Sequence, residues 1–171
     1  MDLTNTLFNP NGRLSPGMYW RGYIYLIAVY MVFQTIQVHG GSLLMQVAAM
    51  LGLMMIWPFI ALTGKRLHDS GRSAWWVVPI IFGMMFVGLV VKSIILMMMI
   101  SPDDLATIQS RGPLEIDLEM AERVRRMIFL PGALVDLAVA VGAGYLLAGL
   151  LSDRRANQYG PSPLSNDGAE D

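Results

Sequence analysis

Apolar residues along the chain fall into four long blocks, separated by short polar segments. The blocks cover residues 22–38, 43–64, 76–100 and about 128–151. None shows the one-sided apolar stripe of a helix lying on a soluble core; each is apolar nearly all round. Roughly 20 apolar residues in helical form cross a bilayer core, so the pattern predicts four transmembrane helices. The first block is the shortest and carries Gln34 and Gln37 at its far end. Pro58 in the second block and Pro79 in the third are expected to bend those helices or to sit near their ends. The segment before the first block is polar and rich in Pro and Gly. No small-residue cleavage site follows that block, so the N-terminus does not read as a cleavable signal.

One polar connection is long. Residues 101–127 read as an amphipathic helical insert between spans three and four. Ser101-Pro102-Asp103-Asp104 has the form of a cap, a first-turn proline and two early acids. Gly112-Pro113 interrupts that helix, and a second is expected to begin near Pro113, with Leu114, Leu118, Ala121 and Val124 on one face. Glu119 with Arg123 and Glu122 with Arg126 are i,i+4 pairs in the favourable order. Such a helix lies on the membrane surface, leads into span four, or docks a partner. Residues 164–171 are expected to be a disordered tail, leaving 1–163 as a single membrane domain.

Composition agrees with this class. Hydrophobic residues make up 54% of the 171-residue chain and charged residues only 15%, against about a quarter in soluble domains. The net charge of −1 offers no electrostatic case for nucleic acid. Basic residues favour the cytoplasmic side of a membrane. With four spans, both termini share a side with the loop between spans two and three. That side holds Arg13, Arg21, Lys65, Arg66, Arg72, Arg154 and Arg155. The other holds Arg111, Arg123, Arg125 and Arg126 among six acids. The expected placement is therefore the bacterial inner membrane, multi-pass, with both termini cytoplasmic. Trp20, Trp75 and Trp76 would form an aromatic belt at that interface.

Two ionisable residues fall within spans, Lys92 and Asp136. Each costs several kcal/mol at depth unless paired or hydrated. Each lies eight residues from the outer end of its span, about 12 Å in at the helical rise. Their matching depth favours an ion pair; the alternatives are a Lys92 that snorkels to the interface or a transport pathway. Ala140, Gly144 and Ala148 in span four, with Ala138 and Gly142 beside them and Ala48 and Gly52 in span two, are small residues at four-residue spacing. They read as close helix packing or as faces for self-association.

Three polar, aromatic segments converge on the cytoplasmic side. The first includes Gly12, Arg13, Tyr19 and Trp20. The second is Lys65-Arg66-Leu67-His68-Asp69-Ser70-Gly71-Arg72-Ser73-Ala74-Trp75-Trp76. The third is Asn157-Gln158-Tyr159-Gly160-Pro161. Together they resemble the signatures of the "domain of unknown function 805" family of small bacterial inner-membrane proteins: a glycine-arginine start ending in an aromatic-Trp pair, an arginine-leucine-histidine-aspartate loop closing in Trp-Trp, and an asparagine-x-aromatic-glycine-proline tail. Pro16, Lys65 and Ala74 depart from the residues usual there, and the 101–127 connection is longer. The resemblance implies an integral membrane protein with cytoplasmic termini, and no activity.

The residues themselves suggest a corner in which Asp69 caps the turn or pairs with Arg13 or Arg72. The competing readings are an anion site for a lipid head group through Arg13, Arg66 and Arg72, a protein-docking face, and a pH-responsive module switched by His68. An enzyme is poorly supplied. There are two histidines and no cysteine, no glycine-rich phosphate loop and no nucleophile elbow. No catalytic residue, metal or cofactor is expected. The sequence thus describes a non-catalytic scaffold or accessory subunit that binds membrane lipids or an unidentified membrane protein. The alternative is a small transporter or channel using Lys92 and Asp136.

Overall fold

A computed structural model describes residues 3–111 and 118–163. The described residues are helical, without named strands. Helix α1 spans Leu3–Phe8, α2 Pro16–His39, α3 Ser42–Met54, α4 Ile56–Asp69, α5 Val77–Met99, α6 Pro102–Arg111 and α7 Leu118–Ala148. A 3₁₀ turn at Ala74–Trp76 leads into α5. Expectations for residues 112–117 and 164–171, including the second insert helix near Pro113 and the terminal tail, lie outside the described residues.

The second apolar block forms two helices, α3 and α4, bent at Met55 three residues before Pro58. That is where a ring lacking an N–H and clashing with the preceding turn should bend a helix. Taken through the bend, Ser42–Asp69 is long and apolar enough to cross a membrane, as are Ala74–Met99 and Glu119–Ala148. In α5 only 6% of the apolar window is buried inside the protein. A soluble protein does not leave so large a contiguous apolar face in water; lipid is the solvent that suits it. Helix α2 is long enough, at 24 residues, but its tyrosines, glutamines and terminal histidine keep it outside this apolar set.

α7 packs against both α2 and α5, and α2 against α3 and α4. Burial is concentrated at one end of the bundle. Leu7, Leu14, Tyr19, Tyr23, Leu26, Leu62, Leu67, Val77 and Leu147 form the core there. The last turns of α4 lie at its centre, with Ala61 through Leu67 and Asp69 all buried. α1, which polar composition did not suggest as a helix, covers one side of them. It inserts Leu7 into the core, and Lys65 Nζ donates to the Asn5 carbonyl at 2.5 Å. The Trp57 indole donates to the Phe8 carbonyl at 3.1 Å. Trp57 thus meets a carbonyl at the end of α1 that a helix leaves open, and Lys65 adds a cation to the Asn5 carbonyl that also accepts from the Asn9 N–H.

The small residues of α7 are used within the chain. A Cβ on Gly144 would stand 2.4 Å from Tyr23 Cε1 and 3.1 Å from Trp20 Cη2. The Tyr23 ring cannot readily withdraw, because its hydroxyl donates to the Ala140 carbonyl at 2.9 Å and it stacks on Tyr19 at a centroid distance of 5.2 Å. Gly142, one ridge away, faces open space. At the base of α7 the expected pairs form, Arg123 to Glu119 at 3.6 Å and Arg126 to Glu122 at 3.5 Å. The Ser101 hydroxyl caps α6 by accepting from the Asp104 N–H at 3.1 Å. The insert and span four are not separate at their junction. α7 runs without interruption from Leu118, through Pro131, to Ala148.

Gly144→Ala should lower stability by about 1–3 kcal/mol, the cost of overpacking a filled contact, read as a lower melting temperature in detergent. Gly142→Ala should leave the melting temperature within error of the parent.

Candidate functional site

α4 ends in a turn that its sequence dictates. The Arg72 N–H bonds the Leu67 carbonyl at 2.9 Å and the Gly71 N–H the His68 carbonyl at 3.0 Å. This is the paired closure of a helix C-terminus that needs a left-handed residue, and Gly71 supplies it at φ +73°. The turn aims Arg66 and Asp69, one helical turn apart, into the bundle, and directs Arg72 outward.

Arg66 and Asp69 are fully buried. Arg66 Nη1 lies 2.5 Å from Asp69 Oδ2, and Arg13 Nη2 lies 3.0 Å from Asp69 Oδ1. One carboxylate thus sits between two guanidinium groups. Ser152 Oγ adds a bond to Oδ2 at 2.5 Å.

The remaining arginine donors are spent on backbone. Arg66 Nε donates to the Leu147 carbonyl at 3.1 Å, Nη2 to that of Ala148 at 3.0 Å and to that of Leu150, and Nη1 also to Ser152 Oγ at 3.1 Å. The five N–H groups of a guanidinium are therefore all placed. Three of them close the C-terminus of α7, where the helix dipole favours a cation. Arg13 binds in the same manner through the tail: Nη1 donates to the Arg155 carbonyl at 2.7 Å and the Gly160 carbonyl at 3.3 Å, and Nη2 to the carbonyl of Asp153.

A second layer joins the same three segments. The His68 ring stacks face to face on Tyr159, with centroids 3.8 Å apart and planes 6° from parallel. Its Nδ1 donates to the Gly12 carbonyl at 3.2 Å. Asn157 Nδ2 donates to the His68 carbonyl at 3.1 Å, and the Asp153 N–H to the Asp69 carbonyl at 2.8 Å. Gly160, at φ +126°, closes the tail turn by exchanging backbone bonds with Asn157.

Of the residues singled out in the sequence, the structure brings together Arg13, Arg66, His68, Asp69, Asn157, Tyr159 and Gly160. Tyr19 is buried in the adjoining core, with Trp20 packed against that core, so Trp20 is not one of a row of exposed interface rings. Trp75 and Trp76 are exposed. Of the two partners expected for Asp69, Arg13 is found and Arg72 is not. The Arg72 side chain is exposed and makes no hydrogen bond or ion pair among the described residues. Asp69 takes its own-helix neighbour Arg66 instead. Ser152 and the carbonyls at the end of α7 went unnoticed in the sequence; only the excess of arginine over acid in the signature segments could have signalled that carbonyls complete the shell.

The intramembrane pair is the second cluster. Lys92 Nζ lies 2.6 Å from Asp136 Oδ1. Asp136 Oδ2 accepts from Gln34 Nε2 at 2.9 Å and from the Tyr30 hydroxyl at 3.3 Å. Helix α2 thereby joins α5 and α7 at this level. Gly88 faces the carboxylate and Gly132 the lysine stem, each with space for a Cβ at ordinary contact distance, 3.8 Å from the nearest atom. Among the described residues no group of His, Asp or Glu is arranged to hold a metal ion.

Asp69→Asn removes the one charge that balances two buried guanidinium groups. The expected cost is about 3–5 kcal/mol, as for other broken buried pairs, seen as loss of monodisperse protein after detergent extraction. Arg66→Lys should not restore it, because an ammonium offers three donors where five are in use.

No curated protein and no solved structure matches the chain. A family model described as "Protein of unknown function (DUF805)" matches residues 7–106, which include Arg13 and the whole 65–76 loop; the tail signature lies beyond them. Since that match covers more than half of the chain, the protein belongs to the DUF805 family.

Proposed function

We propose that the protein is a four-span scaffold or accessory subunit of the bacterial inner membrane, non-catalytic, with both termini cytoplasmic and α6 in an extracytoplasmic insert. The spans are α2, α3–α4, α5 and α7, within one domain covering residues 1–163. Three of these helices are apolar enough on composition alone. α2 joins them because two polar side chains in its outer half have partners. Tyr30 and Gln34 bond Asp136, and polar groups satisfied inside a bundle are compatible with a membrane position. At 24 residues the helix is about 36 Å long, enough for a core of about 30 Å.

The observation that carries the non-catalytic reading is the saturation of the signature residues. Asp69, Arg66 and Arg13 are held by each other and by the chain's own carbonyls, leaving no donor aimed at a substrate. What remains outward is a rim of Arg72, Trp75 and Trp76, suited to binding lipid or a membrane partner.

The chain has no cysteine, so single cysteines report topology cleanly. Introduced at position 70 and at the exposed position 158, they should resist an impermeant thiol reagent in intact cells and react once the membrane is permeabilised, while one at position 41 should react in both. Positions 70 and 158 reacting oppositely would overturn the four-span reading. The pair Lys92 and Asp136 favours a second reading, a small transporter. Lys92→Met with Asp136→Leu in one chain should leave proteoliposome ion flux at background on the scaffold reading. Flux in the parent that the double variant abolishes would decide for transport.

A further inference from the structure

Between α5 and α7, at the end where the signature loop lies, is an open apolar groove of about 490 Å³. That size falls within the roughly 300–1,000 Å³ of ligand pockets. Ile80, Gly83 and Val87 on α5 and Val139 and Gly142 on α7 line its floor and walls, and Arg72 and Trp76 stand at its mouth.

We propose that this groove holds one acyl chain of an anionic phospholipid, with the phosphate on Arg72. The occupant follows from three properties. First, the groove has the depth of a leaflet. From Trp76 to Val87 is eleven helical steps, about 16 Å, close to half of the roughly 30 Å hydrocarbon core. Second, its walls are apolar, and the small residues Gly83, Gly142 and Ala143 leave the space that an unbranched chain fills. Third, its charge is one-sided. Arg13 and Arg66 are consumed inside the protein, whereas Arg72 has an exposed side chain without a partner among the described residues, placed where the groove reaches head-group level. A guanidinium there suits a phosphate, and an indole suits the interface beside it.

A partner helix or a second copy would also cover apolar surface, but neither explains a lone cation at the mouth. The anion site expected from Arg13, Arg66 and Arg72 together is thus reduced to Arg72 and displaced to the α5–α7 face.

The groove residues are open to clean substitution. A Cβ added to Gly83 or Gly142 meets nothing within 4 Å, so Gly83→Leu and Gly142→Leu place a side chain in the groove rather than against the fold. Arg72→Gln removes the charge at an exposed position. Full-length protein in mild detergent is titrated with phosphatidylglycerol and with phosphatidylethanolamine of the same acyl chains, and bound lipid is counted by native mass spectrometry.

The parent should prefer phosphatidylglycerol by roughly fivefold, because its head group keeps the net negative charge that the ammonium of phosphatidylethanolamine cancels, and an exposed ion pair is worth up to about 1 kcal/mol. Arg72→Gln should bring the two lipids level, and each leucine variant should weaken both. Equal affinities in the parent, or a preference surviving in Arg72→Gln, overturns the proposal. So does a leucine variant that breaks a dimer while lipid binding persists, which would make the groove a face for a second copy. The inference rests on the four-span scaffold reading. Protection of a cysteine at position 70 with no phosphatidylglycerol preference rejects the lipid alone; labelling of positions 70 and 158 from opposite sides rejects the reading beneath it.

Discussion

A single carboxylate, Asp69, sets the geometry of the whole signature end. It is buried between Arg13 and Arg66, and the surplus positive charge is spread over carbonyl oxygens at the end of α7 and along the tail. Burying charges is costly unless every one is paired and hydrogen-bonded. The cluster meets that condition by drawing on four separate parts of the chain: the segment before α2, the end of α4, the end of α7 and the Ser152–Gly160 tail. Such networks are weak sources of net stability. What this one supplies is a joint constraint, because ten arginine donor positions and one carboxylate tie these four parts to one another.

The same device recurs at other helix ends. Lys65 adds a cation to α1, and Arg125 Nη1 donates to the Gln37 carbonyl near the end of α2 at 3.3 Å. Together with Arg66 on α7, cations meet the C-termini of three helices. In an apolar surrounding, open carbonyls have no water to bond and the negative end of a helix dipole is poorly screened. Halfway along the bundle Asp136 gathers Lys92, Gln34 and Tyr30, joining α2, α5 and α7. Two polar ties at different heights therefore reinforce the packing of α7 against α2 and α5.

Much of this was legible in the sequence because it depends on local properties. Block length gave the long helices, Pro58 the bend, Ser101-Pro102 the start of α6, and helical rise the common depth of Lys92 and Asp136. What was not legible depends on contacts between distant residues. Asp69 had Arg13, Arg66 and Arg72 within plausible reach, and the choice is made by the closing turn at Gly71, which sends Arg72 away. Gln34 looked like a weakness in the first span, and becomes an asset once Asp136 stands opposite. α1 lacks an apolar stripe and is a helix because α4 offers Lys65 and Trp57 to its open end. Gly144 and Gly142 belong to the same small-residue pattern, yet only the first is filled, by Tyr23.

The order in which the knot's parts leave the ribosome carries a consequence. Arg13 and Arg66 are made well before the carbonyls of residues 147–160 that complete their shell. Until then the two guanidinium groups have one carboxylate and no shell, so the signature end cannot close. Because the signature is split between segments around residues 12–20, 65–76 and 157–161, the cluster closes only after α7 has been made and packed, and the end of the bundle is the last part to become rigid.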